Sequence, residues 1–273
     1  MASVIAHRGH HITERENTTT AFAAAVAVGA DGVELDVRRT ADGALVIHHD
    51  PTVSAGSVSP GSVSPDPGSV SPGAGDQPRG AVIVECRADQ LPSWMPTLAE
   101  ALAACEGLRV NVELKELPGE VAYDPSGAFE DAVVAEVDRL GWLDRVWFSS
   151  FWPLSIERIR AHPLAPRTGL LLHVDAFGDA AVRGAGESMP PGVVQQLLDV
   201  AESAAQAGHQ ALHPQHDLVG PELIDRAHEL GLEVHAWTVN DVATMKRFVE
   251  WGIDGVMTDD VVAARTIVDS RAR

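Results

Sequence analysis

The chain has 273 residues, 45% of them apolar, enough to bury a large core as one α/β barrel or two small domains. Its formal charge of −19 lacks the basic character that nucleic-acid binding and adhesion to anionic membranes rely on, so neither partner is expected. Two cysteines are too few for a disulfide scaffold, no apolar run approaches the roughly 20 residues of a membrane span, and the N-terminus shows no basic-then-apolar leader, which makes a cytoplasmic location the expectation.

Short β-type runs alternate with helical patterns from end to end. Strands are expected at 3–7, 32–37, 45–48, 109–114, 145–149, 168–172, 210–213, 233–239 and 255–258. Helical patterns fall between most of them, among others at 18–28, 98–104, 129–140, 192–207, 221–230 and 242–250. Several strand runs are almost continuously apolar, as parallel strands covered on both faces are, and the βαβα order argues for one parallel sheet. Nine runs exceed an eight-stranded barrel by one. Asp42-Gly43 is a hairpin turn signal and no helix fits between Val37 and Leu45, so the third run is read as an antiparallel arm folding back on the second. A two-residue turn there sets Asp36 opposite His49, about 5 Å away at Cβ. The expectation is an α/β fold of the TIM (β/α)8 type, one domain over 1–273, with a hairpin arm after strand two. A low-complexity insertion at 54–76, with Gly-Ser-Val-Ser-Pro starting at Gly56, Gly61 and Gly68, reads as an extended or flexible loop.

Polar residues collect where these strands end. His7-Arg8-Gly9 closes the first. Glu34 and Asp36, two apart, project from one face of the second, and two acids crowded there would repel unless a cation relieved them. His49-Asp50-Pro51 follows the arm. Glu113 and Lys115 repeat the same spacing at the end of the 109–114 run, and Trp237-Thr238-Val239-Asn240 brings an aromatic ring to the same rim. The chain has only two lysines, Lys115 and Lys246, so an ammonium beside carboxylates is selective usage. In a barrel all these positions lie at the end that carries active sites. Three carboxylates, two histidines and two cations there make a hard-metal site able to hold a phosphate.

These stretches, in order, resemble the signature of glycerophosphodiester phosphodiesterases. The resemblance runs from His7-Arg8-Gly9, Glu16-Asn17-Thr18 and Gly29-Ala30-Asp31-Gly32-Val33-Glu34-Leu35-Asp36-Val37 through Asp42-Gly43 and His49-Asp50-Pro51. It continues over Pro96-Thr97-Leu98, Asn111-Val112-Glu113-Leu114-Lys115, Ser150-Phe151, Trp237-Thr238-Val239-Asn240 and Gly255-Val256-Met257-Thr258-Asp259. It implies one divalent cation, Mg²⁺ or Ca²⁺, on Glu34, Asp36 and Glu113. It also implies His7 and His49 as the acid–base pair, Arg8 and Lys115 near the phosphate, and Phe151 and Trp237 along the glycerol side. The implied substrate is a small glycerophosphodiester, cleaved to sn-glycerol 3-phosphate and an alcohol. Arg15 stands where the family usually has proline, and the repeat loop replaces the family's own insertion. A lipid-directed diesterase of the same barrel family should carry an exposed aromatic docking loop, and the repeat has no aromatic residue. A barrel kept only for binding should have lost a histidine or a carboxylate, and none is missing.

Overall fold

The computed structural model describes residues 1–53, 80–178 and 189–271. The repeat loop expected at 54–76 lies outside the described residues. In chain order the elements are β1 (Ser3–His7), α1 (Thr19–Ala27), β2 (Gly32–Arg39), β3 (Leu45–Ile47), β4 (Thr52–Val53), β5 (Ala81–Val82), α2 (Leu98–Ala104) and β6 (Arg109–Leu114). Then come α3 (Ala128–Arg139), β7 (Val146–Ser149), α4 (Pro153–Arg160), β8 (Arg167–Leu172), α5 (Pro191–Ala207), β9 (Ala211–Pro214), α6 (Pro221–Glu229), β10 (Glu233–Ala236), α7 (Val242–Trp251), β11 (Gly255–Thr258) and α8 (Val261–Arg271).

Eight parallel strands pair in the order β1-β11-β10-β9-β8-β7-β6-β2, and β1 pairs with β2 to close the ring. This is the TIM barrel read from the sequence. Strand alternation divides its residues between two environments. Val33, Leu35 and Val37 on β2, and Val110, Val112 and Leu114 on β6, join the apolar layer under the helices. The residues between them, Glu34, Asp36, Asn111 and Glu113, are left for the barrel interior. Helix starts are pinned locally. Thr97 Oγ1 accepts from the Glu100 backbone N–H while the Glu100 carboxylate takes that of Thr97, a reciprocal cap on α2.

β3 is the antiparallel arm, but its register differs from the expected one. Val37 pairs with Ile47, Arg38 with Val46 and Arg39 with Leu45. The turn has three residues rather than two. The Thr40 N–H donates to the Ala44 carbonyl at 2.9 Å, and Gly43 takes a left-handed φ of +81°. The Thr40 hydroxyl closes the loop by donating to Asp42 Oδ1 at 2.6 Å and accepting from the Ala44 N–H at 2.9 Å. The added residue slides the arm by one position. The His48 N–H, not that of His49, reaches the Asp36 carbonyl, at 2.9 Å. β4 and β5 form a separate two-stranded ladder, Thr52 opposite Val82 and Val53 opposite Ala81. Among the described residues no helix is long and apolar enough to cross a membrane.

Candidate active site

Register builds the carboxylate cluster. Asp36 on β2 is level with Glu113 on β6, and Glu34 is level with His7 on β1. One carboxylate oxygen from each of Glu34, Asp36 and Glu113 lies within 4.8 Å of the others, and all three side chains are buried. The backbone turns out of β1 through two left-handed residues, Arg8 at φ +55° and Gly9 at φ +83°. Gly9 is confined there twice over, since a Cβ would also come within 2.8 Å of the Ala21 Cβ. This turn aims the Arg8 N–H at Glu34 Oε2, 3.0 Å away.

Two cations answer three acids. The Lys115 ammonium lies 3.2 Å from Asp36 Oδ1 and contacts Glu113 Oε1. Arg8 Nε lies 3.4 Å from Asp36 Oδ2, and its Nη1 donates to Glu16 at 3.1 Å. Asn17 Nδ2 donates to Asp36 Oδ2 at 2.7 Å. Burial disfavours the Asp36 anion, but Lys115, Arg8, His49 and the Asn17 bond outweigh it and hold the carboxyl well below the usual range. Glu34 goes the other way. Burial, then the charges of Asp36 and Glu113, push it well above the usual range despite Arg8 and Lys115. Burial also opposes charge on Lys115, and Glu113 and Asp36 overcome it, raising its pKa. Glu34 Oε1 is buried with no hydrogen-bond donor, and the buried Asp36 Oδ1 and Glu113 Oε1 face the Lys115 ammonium. The cluster is short of positive charge.

The histidines sit on different supports. β1 and β11 align Ala6 with Thr258, so His7 comes level with Asp259. His7 Nδ1 lies 2.8 Å from Asp259 Oδ1, and its Nε2 is 4.0 Å from Glu34 Oε2. Burial raises the pKa of Asp259, but bonds from His11 and His7 prevail and hold it well below the usual range. A carboxylate only accepts, so the His7 Nδ1 carries the proton and Nε2 keeps a lone pair facing the cluster. Burial lowers the pKa of His7, and Asp259 pulls part of it back. His49 Nδ1 pairs with Asp50 Oδ1 at 2.8 Å, a bond that lowers Asp50. The His49 ring makes no direct bond to the cluster and acts on Asp36 through space. Its carbonyl is gripped by Arg38, whose Nε and Nη2 donate to it at 2.9 and 2.6 Å while Nη1 donates to the Lys115 carbonyl at 2.7 Å. His48 faces elsewhere, edge-on to Trp94 at 5.9 Å with Nε2 donating to the Thr52 carbonyl.

An aromatic wall borders the cations. Phe151 lies 5.4 Å from Trp237, edge to face, and 5.4 Å from the Lys115 ammonium. His173, after the end of β8, stacks on Trp237 at 5.9 Å and completes the wall. His173, Asp259, His11 and Asn17 were not among the residues singled out as site residues in the sequence. Asp259 and His173 carry the same signal as His7, a polar side chain directly after an apolar strand. His11 carries none, because its approach depends on the left-handed turn at Arg8 and Gly9.

The model of the glycerophosphoryl diester phosphodiesterase family matches residues 7–263. A glycerophosphodiester phosphodiesterase of Caldanaerobacter subterraneus subsp. tengcongensis is 30% identical over 259 residues, covering 94% of this chain and 93% of its own length. Among solved structures, a glycerophosphodiester phosphodiesterase from Thermotoga maritima has a TM-score of 0.70 at 21% identity, over 100% of this chain and 99% of that one. An Oleispira antarctica phosphodiesterase, solved in complex with the product sn-glycerol-3-phosphate, has a TM-score of 0.71 at 21% identity, over 98% and 97% of the two chains. The family match begins at the histidine that closes β1 and runs past the aspartate that supports it, and the chain belongs to the glycerophosphoryl diester phosphodiesterase family.

Proposed function

We propose that this chain hydrolyses small glycerophosphodiesters to sn-glycerol 3-phosphate and an alcohol, using one divalent cation and a pair of histidines. The observation that carries the reading is a buried cluster of three carboxylates faced by two cations, Lys115 and Arg8, with Glu34 Oε1 left without a donor. Glu34, Asp36 and Glu113 would hold the cation. A set of three carboxylate oxygens suits a hard ion such as Mg²⁺ or Ca²⁺, and the raised pKa of Glu34 reports the positive charge the cluster lacks. When bound, the cation supplies Lewis-acid neutralisation of charge on the phosphoryl oxygens.

The protein groups do the rest. Lys115 and Arg8 stand against the same carboxylates and present fixed positive charge to a phosphodiester beside them. His7 keeps its Nε2 lone pair directed inward because Asp259 holds the proton on Nδ1. Asp50 likewise accepts from His49 Nδ1, which leaves the lone pair of that ring on Nε2. One histidine takes the proton of the nucleophile, and the other, protonated, gives one to the departing alkoxide. Each transfer contributes about 10²- to 10⁴-fold. Phe151, Trp237 and His173 offer an apolar wall to the glycerol carbons beside Lys115.

The test is to assay glycerophosphocholine, glycerophosphoethanolamine and glycerophosphoglycerol with and without EDTA, detecting glycerol 3-phosphate. Release is expected only with the cation present. Glu113→Gln is expected to weaken Mg²⁺ or Ca²⁺ binding, followed by titration calorimetry, and to lower activity by orders of magnitude. Full activity after EDTA dialysis would overturn the role given to the carboxylates.

A further inference from the structure

A second group of ligating atoms converges on Asp259. His7 Nδ1 and His11 Nε2 lie 2.8 and 3.0 Å from the same oxygen, Asp259 Oδ1. One atom from each of the three residues lies within 4.8 Å of the others, and all three residues are half-buried and reachable from solvent. The two rings meet edge-on, 67° apart with centroids at 6.4 Å, so their nitrogens point inward rather than stacking. The carboxylate is also fixed from behind. Asn240 Nδ2 donates to Asp259 Oδ2 at 2.6 Å, and Asn240 Oδ1 accepts the Asp259 backbone N–H at 3.0 Å. Outer support of this kind is what orients ligands at metal sites.

This donor set differs in kind from the first. Glu34, Asp36 and Glu113 offer oxygen alone, which suits Mg²⁺ or Ca²⁺. Two imidazoles and one carboxylate suit a borderline cation such as Zn²⁺, which binds nitrogen at about 2.0–2.1 Å in four-coordinate geometry. His11 reaches the group only because the left-handed residues Arg8 and Gly9 fold the chain back after β1.

We propose that His7, His11 and Asp259 form a second, inhibitory metal site selective for Zn²⁺-type cations. The inhibitory part rests on the reading of His7 as an acid–base residue. A cation there binds the Nδ1 lone pair of His7. The proton that Nδ1 now donates to Asp259 then moves through solvent to Nε2, and the neutral ring keeps one proton. With the metal on one nitrogen and the proton on the other, the ring has no lone pair left to accept a proton. His11 likewise shifts its proton from Nε2 to Nδ1. Asp259 exchanges two N–H donors for the cation, so no ligand is left unpaired. The site is then an off-switch that leaves the catalytic cation in place.

Enzyme saturated with Ca²⁺ should be titrated with Zn²⁺, reading binding by equilibrium dialysis and activity by glycerol 3-phosphate release. Wild type is expected to take up one Zn²⁺ beyond the Ca²⁺ site and to lose activity in step with it. His11→Ala and His11→Gln should each weaken both the uptake and the inhibition at least tenfold, judged against each variant's own Zn²⁺-free rate. Co²⁺ in place of Zn²⁺ should give visible absorption bands that the variants lose. Unchanged Zn²⁺ inhibition in both variants, with Ca²⁺ released, would place Zn²⁺ at the carboxylates and overturn the proposal. Absence of an extra Zn²⁺ equivalent in wild type would overturn it as well. His11-dependent uptake in a protein that cleaves none of the three diesters would uphold the site and defeat the proposed function instead.

Discussion

His48 and His49 are adjacent in sequence, and the backbone sends their rings to different places. β3 ends at Ile47, so the chain has left the ladder when it reaches them. The one-residue slip of the arm brings the backbone of His48 to Asp36, yet its ring turns to Trp94 and the Thr52 carbonyl. His49 is among the charges that hold Asp36 low, through space rather than by a direct bond. His7→Ala and His49→Ala are each expected to cut kcat by about 10² or more, and His48→Ala far less, in steady-state assays. Equal damage from His48→Ala and His49→Ala would reassign the role. Arg38 makes a second prediction at this scale. It is 4% exposed and ties the His49 carbonyl to that of Lys115. Arg38→Met leaves both carbonyls short of a charged donor, a loss of about 3 kcal/mol in stability. kcat should fall about tenfold or more, as a barrier change above 1.4 kcal/mol implies, while Ca²⁺ affinity by calorimetry stays near wild type. A normal kcat would show that the grip does not position His49.

The elements were legible wherever one periodicity ruled. β1, β6 and β11 occupy the expected residues, because β1 and β11 are short, largely apolar runs and β6 alternates apolar with polar residues at the strand period. The carboxylate cluster was legible for the same reason, since the i, i+2 spacing on β2 and β6 places Glu34 with Asp36 and points Glu113 the same way. The arm register was not, because a hydroxyl of Thr40 and the φ of Gly43 decided between a two- and a three-residue turn. The His7–Asp259 pair spans 252 residues and exists only because β1 and β11 close the barrel. β4 and β5 carry a prediction about the insertion between them. Their ladder sets Val53 directly opposite Ala81, so the chain on either side of 54–79 is already held together by described structure. Loop-closure entropy changes by only about 0.6 kcal/mol per doubling of length. Replacing residues 56–73 with a short Gly-Ser linker should therefore move Tm by no more than a few degrees in calorimetry. A far larger loss would mean that the segment packs on the barrel.

For the molecule as a whole, the barrel interior is polar to an unusual depth, and this has a consequence for stability. His213 on β9 is fully buried, with neither ring nitrogen hydrogen-bonded. It stacks on His235 of β10 at 5.1 Å and lies 6.2 Å from Trp147 of β7. Gly169 on β8 makes room for it, since any Cβ there would collide with the imidazole. Burial, aided by His235, holds its pKa well below 6.5. The sign follows from proton binding. Above pH 6.5 the ring is neutral in both the folded and unfolded chain, and pH has no effect through this group. As pH falls from 6.5 toward the lower folded value, the unfolded chain takes up a proton that the folded one refuses, and stability is lost at up to about 1.4 kcal/mol per pH unit. His7, His48 and His209, also lowered by burial, act in the same direction. Glu34, raised by burial, acts in the opposite one. The informative quantity is thus a difference between two proteins. His213→Met fills a similar volume, removes two unpaired polar atoms and cannot titrate. Urea denaturation of wild type and variant at pH 7.5 and pH 5.5 is expected to show a smaller pH-dependent loss for the variant, by about 1 kcal/mol. The variant's stability at pH 7.5 is free to move either way, because a buried unsatisfied group and a packing contact are lost together. Identical pH dependence in the two proteins would mean that His213 titrates alike folded and unfolded, and that the barrel interior admits its proton.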